Sequence, residues 1–265
     1  MSVHNKELIK KRFARSLEQY DKQSIVQTDI CCRIGSLLDE YVDRDVVERG
    51  NAYEFGAGTG FLTKILLSKY PKASWRINDI VEQTQPYINS IASASEVENI
   101  NITIADAENY EIPEKLSIVA SSSSIQWFNS LEGFMNKISK SIVDGGYFVF
   151  STFGKHNFYQ IAELTPDLNI GYYSLEQIEE WASKSGFKVL FSDQYNKDMK
   201  FDTPQHVLRY IKETGINGNS NRVWTKSAFK NFCVKYSERH SVSDKVLLSF
   251  NPMIFILQKD TEVQQ

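Results

Sequence analysis

Glu54, Gly56, Gly58, Gly60, Asp79 and Asp106 are the residues of this 265-residue chain whose types and spacing ask most directly for a ligand. The glycines stand in "YEFGAGTGFL", Tyr53 to Leu62, where one apolar run ends and another begins. A turn of this kind brings backbone close to a ligand and aims the N-terminus of the next helix at it. Its GxGxG spacing is not the GxGxxG of a dinucleotide fingerprint. Glu54, two residues before the first glycine, would repel a phosphate but suits a cation such as the amino group of an amino-acid moiety. Asp79 lies nineteen residues past Gly60, where a carboxylate can accept both hydroxyls of a ribose. Asp106, in "IADAEN", could accept from an exocyclic adenine amine.

These side chains act together only if the chain sets each at the end of a neighbouring strand. Residues 5–42 read as helical, with Leu8, Phe13, Leu17 and Tyr20, then Ile30, Ile34, Leu37 and Leu38 recurring at helical steps. Strands are expected at 51–55, 74–78, 101–104, 116–120, 146–152 and 188–191. Helices are expected at 61–70, 82–94, 131–142 and 174–185, the last opened by the capping-box run "SLEQ". That alternation predicts an α/β fold, a parallel sheet with helices on both faces and ligands at the carboxyl ends of its strands. Two more helices, 204–214 and 227–236, form an expected helical cap over that edge, and 246–257 reads as one last apolar run. The chain reads as a single domain, with a helical segment (1–45), a cofactor-binding core (46–195), a cap insertion (196–240) and a final strand and tail (241–265).

An ammonium, a ribose and an adenine, met in order along three strand ends, describe S-adenosylmethionine. The pattern E-x-G-x-G-x-G followed by two aspartates resembles the class I methyltransferase family across roughly residues 50–155. The resemblance implies a Rossmann-like sheet and cofactor contacts at Glu54, Gly56, Ala57, Gly58, Gly60, Asp79, Ile80, Asp106, Ala107 and Ser121.

Four places bear on what accepts the methyl group. Gln126 and Trp127, in "SSSSIQWFNSL", follow the fourth strand and could orient an acceptor and wall off water. His156, after the fifth strand, is the candidate general base. Phe13, Leu17 and Tyr20 could cover the cofactor from the N-terminal helix. Arg222 is suited to a carboxylate by bidentate pairing. Methyl transfer requires an oriented nucleophile, and a carboxylate, already ionised near pH 7, needs no base.

The order "FARSLEQYDKQSIVQ", "EFGAGTG", "IQWFNSL", "STFGKHNF", "YIKETGINGNSNR" is similar to the malonyl-acyl-carrier-protein O-methyltransferases of biotin synthesis. Ser122 and Ser123 stand where that family has an Asn-Leu-like pair, and Ser117 where it often has an acidic residue. The resemblance implies methyl esterification of a malonyl thioester's free carboxylate, with Gln126, Trp127 and Tyr20 at the reaction site and Arg222 on the carboxylate. Lys212, Lys226 and Lys230 become candidate contacts for an acyl carrier protein. Residues 196–245 hold ten basic residues against five acidic ones, +5 in a chain of net charge −3, and a positive region suits an acidic partner. Two other readings remain at this point: a small-molecule O-methyltransferase acting on a quinone precursor or free acid, and a non-catalytic protein keeping the cofactor fold.

Composition narrows the rest. The acidic overall balance disfavours nucleic acid, and no apolar run is long enough for a membrane span. The charged N-terminus lacks the core of a secretory signal. Cys31, Cys32 and Cys233 have no metal-ligand spacing, so reduced thiols and a cytoplasmic location are expected.

Overall fold

The computed structural model describes residues 4–165, 171–214 and 224–261, without the side chains of 18–23. Helices α1 (Lys6–Gln23), α2 (Ile25–Tyr41) and α3 (Arg44–Glu48) precede the core. The core then alternates β1 (Asn51–Phe55), α4 (Phe61–Lys69), β2 (Ser74–Asp79), α5 (Gln85–Ala94), β3 (Ile100–Ile104), β4 (Leu116–Ser121), α6 (Leu131–Ser141) and β5 (Ile142–Phe153). Next come α7 (Tyr159–Leu164), α8 (Leu175–Lys184), β6 (Phe187–Gln194), β7 (Lys197–Phe201), α9 (Pro204–Glu213) and α10 (Lys226–His240). The chain closes with β8 (Ser241–Val242), β9 (Lys245–Phe250) and β10 (Pro252–Lys259).

Seven strands form one sheet in the order β3-β2-β1-β4-β5-β10-β6. β1 to β5 pair in parallel, whereas β10 runs antiparallel between β5 and β6. Chain order reverses between β1 and β4, and this switch point opens a crevice at the strands' carboxyl ends.

Two-residue alternation builds a core on each face. Ala52, Ile118, Ala120, Val149, Ile254 and Ile256 face one cluster with Ile30, Ile34 and Leu38 of α2 and Leu62 and Leu66 of α4. Tyr53, Phe55, Val119, Phe148, Phe150 and Phe255 face the other, with Phe134, Met135 and Ile138 of α6 and Ile178 and Ala182 of α8. The second face is aromatic: Phe150 stacks on Phe255 at 4.9 Å and Phe134 meets Phe128 edge-on at 4.6 Å. The expected capping box is formed, Ser174 and Gln177 each bonding the other's backbone at the start of α8.

Three features depart from the sequence reading. The 5–42 stretch breaks into two helices at Ser24, whose carbonyl accepts both the amide and the hydroxyl of Thr28. The last apolar run is two strands, because Pro252 has no N–H to continue a ladder and buried Asn251 is pinned there. Asn251 donates to the Tyr195 carbonyl and to Asn196 Oδ1, and accepts from Gln194. β9 therefore leaves the main sheet and pairs antiparallel with β7 and β8, so the cap contains a small sheet as well as helices α9 and α10.

Candidate active site

At the switch point lies a cleft with about 830 Å³ of space between its walls, solvent at the mouth included. Gly56, Gly58, Asp79, Ile80, Asp106 and Ala107 line it. Glu54, Ala57, Gly60 and Ser121 sit behind that lining: Ala57 donates to the Asn78 carbonyl, Gly60 caps α4, and Glu54 and Ser121 are buried at the ends of β1 and β4.

The glycine turn is shaped for a ligand rather than for packing alone. Gly58 has φ +57°, and a Cβ there would meet nothing within 4 Å, so the space beside it is open. Gly56 has φ +66°, and a Cβ there would lie 2.2 Å from Ser124 Oγ, so the turn comes as close to the wall as backbone can.

Asp79 is buried with each carboxylate oxygen braced once: Gly58 N donates to Oδ2 at 2.8 Å and Val81 N to Oδ1 at 2.7 Å. Each oxygen keeps a second lone pair, enough for the two hydroxyls of a ribose. Burial pushes the carboxyl up from its usual range, opposed chiefly by the backbone amides of Val81 and Gly58.

Glu54 is 1% exposed and its Oε2 has no partner among the described residues. Burial, with repulsion from Asp79 added, pushes its carboxyl up to about 8. Asn78 Oδ1, Ser121 Oγ, Ser123 Oγ, Gln126 Oε1 and Trp127 Nε1 are buried and unpartnered at the same sheet edge. Native proteins leave few such atoms, so their concentration here fits a polar ligand that completes them. S-adenosylmethionine matches the carboxylates at this edge and the apolar lining: an ammonium for Glu54, a ribose for Asp79, and an adenine between Ile80, Val81, Ala107 and Phe128.

Helix α1 supplies the cleft's outer wall through Lys6, Ile9, Phe13 and Leu17. Lys6 Nζ lies 2.6 Å from Asp106 Oδ1, 2.8 Å from Oδ2 and 2.5 Å from Glu108 Oε2, and 5.1 Å from the Phe128 ring centre. Partial burial would push the Glu108 carboxyl up, but Lys6 and the amides of Asn129 and Ser130 outweigh it and hold it low. Asp106, expected at an adenine amine, is thus engaged by a lysine that the sequence reading missed. The signal was present: residues 6, 9, 13 and 17 recur at steps of three and four, one helix face. Replacing Lys6 by methionine strips two carboxylates of the cation that ties them to α1, and amide exchange across α1 is expected to quicken about tenfold by mass spectrometry. Unchanged exchange would mean that the apolar residues alone hold the helix down.

Trp127 meets His4, just before α1, and Phe13 of α1, edge-on at 6.0 and 6.1 Å. Gln126 does not line the cleft but a smaller cavity that shares Phe13, Ser123 and Trp127 with it, its Nε2 held by the Ser123 carbonyl at 2.7 Å. His156 is exposed and lines neither cavity. Lys212, Lys226 and Lys230 are exposed on α9 and α10. Arg222 lies outside the described residues, as does the side chain of Tyr20 on α1. No cluster of potential metal ligands occurs among the described residues, and no helix among them is long and apolar enough to cross a membrane.

Comparison with known proteins agrees with the fold. Residues 53–150 match a family model described as a methyltransferase domain. A malonyl-[acyl-carrier protein] O-methyltransferase of Bacteroides thetaiotaomicron is 29% identical over 96% of this chain and 98% of its own. One from Prosthecochloris aestuarii is 28% identical over 98% of this chain and 96% of its own. Among solved structures, geranyl diphosphate C-methyltransferase from Streptomyces coelicolor, in complex with S-adenosyl-L-homocysteine, superposes with a TM-score of 0.54 at 9% identity, covering 85% of this chain and 76% of that one.

Proposed function

We propose that this chain, which has the class I methyltransferase fold and matches a methyltransferase domain over residues 53–150, methylates the free carboxylate of a malonyl thioester carried on acyl carrier protein. S-adenosylmethionine supplies a methyl group on a sulfonium, open to in-line attack by a nucleophile. The chain's own part is to hold and orient. Asp79 fixes the ribose end, Glu54 receives the amino-acid end, and α1 with Trp127 excludes water from between them.

The lining of the two cavities carries the reading. Their only ionisable members among the described residues are Lys6, Asp79, Asp106 and Tyr172. Lys6 and Asp106 are paired, Asp79 is braced by amides, and burial pushes the Tyr172 phenol above its usual range. None of these is placed to take a proton, which favours an acceptor that arrives already deprotonated, as a carboxylate does. The near full-length likeness to malonyl-[acyl-carrier protein] O-methyltransferases supports the same acceptor.

Esterification would mask the negative charge, letting fatty-acid enzymes extend the malonyl group as an apolar primer of biotin's pimeloyl chain. Lys212, Lys226 and Lys230 would face the acidic carrier, with Arg222 reaching its carboxylate, in a cytoplasmic enzyme. With saturating cofactor, the single-turnover rate should stay level from about pH 6 to 9, since the acceptor carboxylate is ionised throughout. It should also be unchanged in His156→Ala. A rate that rises through about pH 6.5, and loses that rise in His156→Ala, would mean a hydroxyl acceptor and a histidine base.

A further inference from the structure

The smaller cavity beside Trp127 is narrow, with about 310 Å³ between its walls only when open solvent at its mouth is included, and Phe13 and Phe153 are its apolar lining. Its polar members are Gln27, Ser123, Gln126, Trp127 and Tyr172. Gln27 and Trp127 are 5% and 8% exposed, yet Gln27 Oε1, Ser123 Oγ, Gln126 Oε1 and Trp127 Nε1 have no partner among the described residues. Four orphaned polar atoms around one small void carry a desolvation cost of about 1–3 kcal/mol each unless a ligand completes them.

Tyr172 is the member whose proton has a fixed destination. Asn157, 4% exposed, accepts from the Asn251 amide through Oδ1 at 3.1 Å, which turns its Nδ2 toward Tyr172. Nδ2 donates to the Tyr172 oxygen at 2.9 Å. The phenol is thereby an acceptor on its Asn157 side and keeps its own proton to donate.

We propose that Tyr172, oriented by Asn157, determines acceptor specificity by donating its phenol proton, with Trp127 Nε1–H and the Ser123 hydroxyl, to the acceptor carboxylate in this cavity. Neutral donors suit the task. They fix the orientation of a carboxylate while leaving most of the negative charge on its attacking oxygen. Gln27 can turn its amide end for end to add a donor, while Gln126, fixed by Ser123, offers its carbonyl oxygen to an N–H of the acceptor.

The inference rests on the carboxylate-methylation reading, and binding separates the two. Malonyl-acyl-carrier protein is titrated calorimetrically into the protein saturated with S-adenosylhomocysteine, and KM and kcat are measured alongside. Tyr172→Phe should weaken carrier binding and raise KM about tenfold, the loss of one hydrogen bond to a charged group. Its kcat should stay within about twofold, and its cofactor affinity should not change. Asn157→Asp keeps an acceptor for the Asn251 amide but captures the phenol proton, so it should reproduce Tyr172→Phe. The double variant should lose no more than either single one. Unchanged binding in both single variants, additive losses, or a wild-type protein that does not bind the malonyl carrier would each overturn the assignment. Wild-type binding without methyl transfer, with binding still lost in Tyr172→Phe, would overturn the reaction and leave the pocket standing.

Discussion

Replacing Asp79 by alanine is expected to weaken S-adenosylmethionine binding by about 100-fold or more. The carboxylate does two things at once. It offers the lone pairs for a ribose, and it braces the Gly58 and Val81 amides on either side of the cleft. Alanine removes two hydrogen bonds to a charged acceptor, each worth about 1.5–3 kcal/mol, and orphans both amides. The aromatic core of Phe55, Phe134, Phe148 and Phe150 does not include Asp79 and is untouched, so the variant should keep a cooperative melt. Calorimetric titration gives the number. A dissociation constant within about threefold of wild type would place the ribose elsewhere.

The second large effect is a linkage between cofactor and proton at Glu54. Its carboxyl, pushed up to about 8 by burial, is neutral in the free protein at pH 6.5. An ammonium beside it favours the charged form, so cofactor binding should expel about one proton there. Affinity should climb by up to tenfold per pH unit until about pH 8, where Glu54 is ionised without help. The sign for stability is the reverse. The folded state holds a proton that the unfolded chain releases near the ordinary carboxylate pKa. The cofactor-free fold therefore loses stability as pH rises from about 4.5 to 8, and bound cofactor restores it. Glu54→Gln should abolish both the proton release and the pH slope, and cost about 100-fold in affinity at pH 8. Titrations in two buffers of different ionisation enthalpy measure the release. Equal apparent enthalpies for the wild type would separate Glu54 from the ammonium.

The cofactor half of the site was legible because it is local. A carboxylate, a glycine turn and two aspartates at strand ends are each read within a few residues, and Gly56, Gly58, Asp79 and Asp106 do meet in one cleft. The strands that carry them were legible from apolar runs bounded by turns. What escaped depended on long-range pairing. Lys6 finds Asp106 across 100 residues of chain, and Asn157 finds Tyr172 through a pin on Asn251. β9 and β10 read as one strand because both are apolar; Asn251 and Pro252 part them into different sheets. β7 escaped because Lys197, Asp198 and Lys200 mask its alternation. The short α7 lacks the length for a helical period to show.

The central claim is that a carboxylate on a carrier-bound malonyl group becomes a methyl ester. It is tested most directly by incubating the protein with labelled S-adenosylmethionine and malonyl-acyl-carrier protein, then taking the intact mass of the carrier. The account predicts a gain of one methyl group that mild base removes, on malonyl-loaded carrier and not on carrier without it. No gain, or a methyl group that survives mild base, would contradict it.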